Sequence, residues 1–407
     1  MAFLLFMGYN DDAGVTCNLI EKENVVEDRP KKGKKQYLLV LLGMGGFALL
    51  INLLAFSRSF CDFYADHIYP LIATSLGWLT SILPFAIGEI LMYLSALAVF
   101  ASAIIGILCI FLRKKKKYMR FAGIWYRVLA VIFVWGILVY TLNWLTLLRS
   151  SILGKKASYT ERSYSLQELR VLYYDVVDRL NADCGKVPRD AEGNVLYYSR
   201  EEAEEASNRA LKALSDDYPR LSGYYPPSKT ALCSSALRWM SIGGFTYPYT
   251  MELTCSKYLT ELYYPTLYAH EASHHKGYYR ESEANFLSYL ALSESGDPLL
   301  QYSADLFIYG YLSEAYDTAL DESGAGDAYY DEKDEHAVLS QVWKDQKAAR
   351  EKLEKLYESE SHLFAGLSEV AEKIAKTGWE TQADILGEDN YDGVVLLMLD
   401  YYDGKLY

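Results

Sequence analysis

Three apolar stretches of membrane-spanning length set the architecture. Residues 37–57 (YLLVLLGMGGFALLINLLAFS) carry no charge before Arg58. A second run, about 88–112, stops at Arg113-Lys114-Lys115-Lys116-Lys117, and a third, 126–148, is rich in Trp and Leu and stops at Arg149. Each is long enough, as a helix rising ~1.5 Å per residue, to cross ~30 Å of hydrocarbon. Lipid offers the backbone no hydrogen bonds, so a crossing segment must be a helix that satisfies itself. The expectation is a tail at 1–36, a three-helix transmembrane anchor over 37–149 with a basic loop at 113–125, and a separate domain at 150–407.

Positive charge orients this anchor. Arg29, Lys31, Lys32, Lys34 and Lys35 precede the first run and five basic residues follow the second, whereas 58–67 carries Arg58 alone. The positive-inside rule places the N-terminus and the basic loop in the cytoplasm and 150–407 outside the membrane. The opening residues lack the basic n-region of a signal peptide, so the first span serves as the targeting signal. Residues 68–85 are apolar but interrupted by Pro70, Gly77 and Pro84, which suits a segment that lies in the interface or re-enters. Residues 1–149 hold 15 Lys/Arg against 9 Asp/Glu, and the remainder 25 against 44. So acidic an outer domain excludes nucleic acid as an expected partner, because phosphates demand the opposite sign. The bilayer is the partner the sequence calls for.

Chemistry concentrates at His270-Glu271-Ala272-Ser273-His274. Histidines at i and i+4 share one face of a helix, which suits two ligands of a tetrahedral Zn²⁺ site, and the glutamate between them can take a proton from water activated by the metal. Three of the six histidines (His270, His274, His275) fall in this short stretch. His275 lies too far round the helix to join the same ion. Gly277 is placed to end the helix with a positive φ, and a second helix starts near Arg280. A hydrolytic zinc needs a third protein ligand, and Glu281 and Glu283 are the nearby carboxylates. Glu281 shares a face with Asn285, which pairs a ligand with a polar group that orients a histidine, so Glu281 is preferred and Glu283 is the alternate. Arg280 and Asn285 are the expected supporting residues.

The segment HEASHHKGYYRESEANFLSYLA resembles the bacterial membrane-protein family called domain-of-unknown-function 3810. The likeness extends through YPRLSGYYPPSKTALCSSALRWMSIGGFTYPYTMELTC upstream, and YSADLFIYGYL (302–312) and NYDGVVLLMLDYY (390–402) downstream, covering most of 160–402. E-S-E-A-N also looks like the element that supplies the third ligand in membrane-associated gluzincin peptidases. The family pattern has Phe-Thr-Gly-Glu where this chain has Tyr249-Thr250-Met251-Glu252, so the glutamate is kept and the glycine lost. What the resemblance implies is a zincin-like fold and a zinc peptidase acting on a peptide or protein substrate of unstated identity.

The fold class expected for the outer part is α+β, mostly helical. Ser165-Leu166-Gln167-Glu168 and Ser199-Arg200-Glu201-Glu202 read as capping boxes. Residues 228–256 are the best strand candidates, with 245–256 as an edge strand before the motif helix along which a peptide can pair. Tyr249 and Glu252 on it are candidate substrate contacts. Helices are expected at about 280–293, 299–319, 335–374 and 391–402, with 321–335 a solvated loop. Tyr302, Tyr309 and Tyr391 are candidates to stabilise an oxyanion. Cys233 and Cys255 could pair in an oxidising exterior, or stay buried thiols. Two rivals to a peptidase are an envelope sensor and a non-catalytic metal scaffold. The short cytoplasmic parts weigh against the first, and Glu271 against the second, since a purely structural site has no use for it.

Overall fold

The computed structural model describes residues 29–154, 163–324, 332–333, 336–359, 373 and 392–407. Three helices are long and apolar enough to cross a membrane: Lys35–Leu54, Ile87–Phe111 and Lys116–Leu148. The first belongs to α1 (Arg29–Leu54) and the second is α4 (Ile87–Phe111). The third comprises α5 (Lys116–Tyr140), a π-helical turn (Thr141–Leu145) and α6 (Thr146–Leu148). Between the first two spans lie α2 (Arg58–Phe63), a π-helical turn (Tyr64–Ile68) and α3 (Tyr69–Ser81).

The basic segment is shorter than the loop expected at 113–125, because helix resumes at Lys116. The aromatic residues that follow explain why. Tyr118 donates to Ile105 O (3.0 Å), Tyr126 to Ser102 O (2.7 Å) and the Trp125 indole to Ser102 Oγ (2.9 Å), tying the start of α5 to α4. The third helix spans 33 residues, or ~50 Å, well beyond ~30 Å of hydrocarbon. Its last turns are buried in protein at Thr141, Asn143, Thr146, Leu147 and Leu148.

The remainder is mostly helical: α7 (Leu166–Cys184), α8 (Arg200–Ala213), α9 (Ser234–Trp239), α10 (Tyr264–His275), α11 (Glu281–Ser293), α12 (Pro298–Ser323), α13 (Ser340–Glu358) and α14 (Asp392–Tyr402). Both expected capping boxes are present, with Ser165 and Ser199 each accepting from the backbone N–H three residues on. The strands are short: β1 (Lys229–Thr230), β2 (Gly244–Thr246) and β3 (Leu253–Cys255). Their order is β1-β3-β2, with β1 parallel and β2 antiparallel to β3, and Phe245 opposite Thr254. Leu172, Val176, Leu180, Phe286, Leu290, Ile308, Leu312 and Met398 knit α7, α11, α12 and α14 into one core.

Two sequence expectations change here, and a third, left open between pairing and free thiols, is decided. Residues 245–256 form a hairpin, not one strand: Tyr247 N donates to Glu252 O (3.0 Å) and Met251 N to Tyr247 O (2.8 Å), with Met251 in the left-handed region at φ 56°. That is the position where the family pattern has glycine, the residue such a turn favours. Helix α13 starts at Ser340, not 335, and 360–372 lie outside the described residues. Cys233 and Cys255 are both free thiols.

The segment at 68–85 is not a membrane hairpin standing apart. Tyr64, Ala65, Tyr69 and Ala73 form a cluster with Leu147, Leu148, Met251 and Tyr279, joining α3, the end of the third span and the motif region. Polar groups reinforce the joint. Glu252 accepts from Ile87 N (2.9 Å) and Gly88 N (2.7 Å) at the N-terminus of α4, where a carboxylate is favoured, and from Lys229 Nζ (2.5 Å). Asn143 donates to Pro248 O (2.8 Å), and Asp62 accepts from Ser151 N (2.6 Å). The spans and the rest of the chain therefore share buried surface at their junction.

Candidate metal centre

Helix α10 begins with Pro265 in its first turn, where a missing N–H costs nothing. It ends where Gly277 turns to φ 92°. Gly277 N donates to His274 O (2.9 Å) and Tyr278 N to Ser273 O (3.1 Å), closing the last turn. A Cβ on Gly277 would lie 3.1 Å from the Tyr69 ring, so the position needs glycine for space as well. The chain then re-enters as α11, whose first residue is Glu281.

This turn brings three side chains together. The His270 and His274 rings lie 4.6 Å apart and nearly perpendicular. Glu281 Oε2 is 3.2 Å from His270 Nε2, and its Oε1 is 3.6 Å from His274 Nε2. The ligand atoms of the trio all lie within 4.8 Å of one another. Donors ~2.0–2.1 Å from a tetrahedral zinc stand about 3.3 Å apart, so two imidazoles and a carboxylate at this spacing fit such an ion. Both histidines also present the correct nitrogen. His270 Nδ1 lies 2.7 Å from Asn285 Oδ1, and His274 Nδ1 lies 2.8 Å from Tyr278 O. Each Nδ1 therefore carries the proton and donates it, which leaves the Nε2 lone pair for a metal. Asn285 is fixed in turn by donating Nδ2–H to Tyr311 Oη (3.2 Å).

The electrostatics agree with that donor set. Burial opposes ionisation of Glu281, but His274 and His270 outweigh it and hold the carboxyl well below the usual range. Burial likewise works against protonation of His274, and Glu281 overcomes it, lifting the imidazole to about 9. Both shifts record the attraction between the Glu281 carboxylate and a proton on His274 Nε2, a proton that a metal ion bound by the trio would displace.

Glu271 lies between the trio and β2. Thr246 Oγ1 donates to its Oε2 (3.0 Å) and to its main-chain oxygen (3.1 Å). A Cβ on Gly244 would come within 2.9 Å of Glu271 Oε1, so the strand can approach this closely only because residue 244 has none. Burial pushes the Glu271 carboxyl up, while the charges of His270 and His274 pull it back.

The other candidates lie elsewhere. Glu283 turns away from the histidines and accepts from Leu153 N (2.6 Å) and Arg280 N (3.3 Å), fixing the chain that leaves the third span to α11. Arg280 donates to Ser150 O (3.1 Å), so it supports that same junction and not a ligand. Tyr249 is exposed and donates to Gly136 O (3.4 Å) on α5, and Glu252 is consumed by the α4 contact, so neither stands at the metal trio. Tyr302 donates to Asp345 (2.9 Å) and Tyr309 packs on Tyr173 and Trp343, while Tyr391 lies outside the described residues. His275 is enclosed against α3, where a Cβ on Gly77 would sit 2.9 Å from its ring, and burial pushes it down to about 3. Sequence reasoning missed Thr246, Tyr311 and the Tyr278 carbonyl. The first two act across distant segments, and the last is main chain.

Fold and site together define a membrane-anchored helical protein with a two-histidine, one-carboxylate cluster able to hold a metal ion. The chain belongs to the DUF3810 family, described as a protein of unknown function, which matches residues 64–399. The matched stretch includes the second and third spans as well as α3, whose ends pack against the region around the metal trio. No curated protein and no solved structure matches the chain.

Proposed function

We propose that this chain is a membrane-anchored zinc peptidase whose outer, zincin-like domain works on the outside of a bacterial cell membrane. The observation that carries the reading is the convergence of His270 Nε2, His274 Nε2 and Glu281 beside a buried Glu271. A zinc ion held by these three residues would supply Lewis acidity, activating water and polarising a carbonyl. Asn285 and the Tyr278 carbonyl hold the two imidazoles in the required tautomer. Glu271 takes a proton from the attacking water at its carboxylate and returns it to the leaving amine. The water oxygen joins the acyl carbon, the C–N bond breaks, and an acid and an amine leave. Thr246 keeps the carboxylate aimed, and β2 pairs only with β3 among the described residues, which leaves a main-chain edge for an extended peptide. The distribution of basic residues puts the N-terminus in the cytoplasm and the site outside.

The test uses the full chain, purified in detergent and loaded with zinc, against a pool of random peptides read by mass spectrometry. Wild type should cleave, and Glu271→Gln should lose ~10²–10⁴-fold of the rate with its zinc content unchanged. Absence of cleavage above the Glu271→Gln background would reject the peptidase reading.

A further inference from the structure

The candidate site lies only two aromatic contacts from a membrane helix. The His274 ring is 5.8 Å from Tyr279, and Tyr279 meets Trp144 edge-on at 5.1 Å. Trp144 lies within the last turns of the third span. The same indole stacks at 6.4 Å on Phe245 of β2, next to the Thr246 that holds Glu271. The second span touches the residue that follows this strand, because Tyr247 packs so closely on Gly88 that a Cβ there would come within 2.4 Å of its ring. Strand β2 and Glu271 are thus framed by the outer ends of two spans.

A second observation sets the level of the bilayer. The helical strip from α2 to α3 buries Tyr64, Tyr69 and Ala73 against the end of the third span and the turns at Met251 and Tyr279. Its other face exposes Phe63, Leu71, Trp78, Leu79 and Ile82, each between 51% and 69% exposed. A mainly apolar face with a tryptophan, interrupted by the exposed His67, Thr74 and Ser75 and joined at both ends to membrane spans, fits the lipid interface as its one occupant. The strip packs directly beneath α10: Tyr69 donates to His275 O (3.2 Å), and Gly77 faces the His275 ring. The motif helix therefore sits one helix thickness, ~10 Å, above lipid.

We infer that the substrate is a membrane-tethered polypeptide, hydrolysed in an extended segment close to its own anchor. This rests on the peptidase reading and adds the substrate class. A peptide strand laid along β2 passes Glu271 and the outer ends of α4 and α6, so a chain emerging from the adjacent bilayer reaches the site within a few residues, at ~3.3 Å per residue.

The experiment uses the full zinc-loaded chain in vesicles of phosphatidylethanolamine and phosphatidylglycerol. Random-sequence peptides of about forty residues carry two acyl chains at one end, and an identical pool lacks them. The readout is the position of cleavage along the peptide, which tethering alone does not bias. The inference expects cuts concentrated within about ten residues of the acyl anchor, ~35 Å of extended chain. It also expects Trp78→Ser/Leu79→Ser to spread or weaken that pattern while retaining zinc. Cuts spread evenly along the tethered peptide, or equal cleavage of the free pool, would overturn the substrate class and leave the peptidase standing. No cleavage of either pool above a Glu271→Gln control would overturn the peptidase reading itself, and the inference with it.

Discussion

Asn285 Oδ1 sits 2.7 Å from His270 Nδ1, so a residue of α11 decides which nitrogen α10 offers to a metal. The same helix supplies Glu281 one turn earlier. A ligand and the group that orients another ligand thus stand at i and i+4, and the two helices cannot shift against each other without changing both.

Replacing Asn285 by Ala should therefore weaken zinc binding by ~10–100-fold without unfolding the protein, the usual cost of losing an orienting partner. Competition with a chromophoric chelator measures this directly. Asn285→Asp, which keeps the acceptor, should stay close to wild type, and an equal loss in both variants would contradict the orienting role.

Gly244→Ala should disturb Glu271 rather than the metal. The added Cβ meets Glu271 Cγ at 2.8 Å and Thr254 O at 2.7 Å, so either the strand or the carboxylate must move. Peptide cleavage should fall by at least about tenfold, since displacing a general base forfeits part of its ~10²–10⁴-fold contribution. Zinc content should be unchanged, and full activity in the variant would show that β2 does not set the position of Glu271.

Met251 combines a cost and a gain that can be separated. Its left-handed backbone costs ~1–2 kcal/mol for a residue with a Cβ. Its buried side chain packs among Tyr69, Leu147 and Tyr279, and truncating such a side chain costs ~2–5 kcal/mol. Met251→Gly should lose about 1–3 kcal/mol net, and Met251→Ala more, because alanine keeps the strain and loses the packing. Thermal unfolding in detergent should rank wild type above glycine above alanine, and alanine ranking above glycine would refute the account of this turn.

Asp305 gives the packing of α12 on α7 a pH dependence. Burial pushes its carboxyl up to about 8, with Arg179 pulling it down and Asp183 and Asp175 pushing it further up. Its proton is held more tightly folded than unfolded, where the pKa is ~3.9. Stability from this group is complete below about pH 4 and is lost as pH rises through about 8, a change on the order of a few kcal/mol. Asp305→Asn should flatten the fall in melting temperature between about pH 5 and pH 8.5, and an unaltered slope would contradict this.

Much of this was legible in the residues, and the gaps have physical causes. Runs of apolar residues report helices that lie in lipid because lipid contact is a property of each residue alone, and the spans followed. The capping boxes at Ser165 and Ser199 and the turn at Gly277 followed for the same reason, being local chemistry. The pairing of Glu281 with Asn285 was readable from helical spacing. What stayed hidden depends on partners far along the chain. Glu252 looked like a substrate contact because nothing near it in sequence shows that it caps α4, some 165 residues earlier. Glu283 stood as the alternate to the preferred Glu281, and its partner, Leu153 N, lies 130 residues away. Pro70 and Pro84 suggested a segment that lies in the interface or re-enters, but nothing local shows that Tyr69 and Gly77 seat it against the motif helix.

That seating also fixes how the central claim should be tested, because α3 and the end of the third span belong to the same buried cluster as Tyr279 and Met251. The measurement is tightly bound metal in the full-length protein, purified in detergent, by mass spectrometry of the element, for wild type, Glu281→Ala and Glu283→Gln. One zinc per chain in wild type and Glu283→Gln, and its loss in Glu281→Ala with the helical spectrum preserved, is the result predicted by the His270, His274 and Glu281 centre. A folded wild type that binds no zinc even when it is supplied in excess would contradict it.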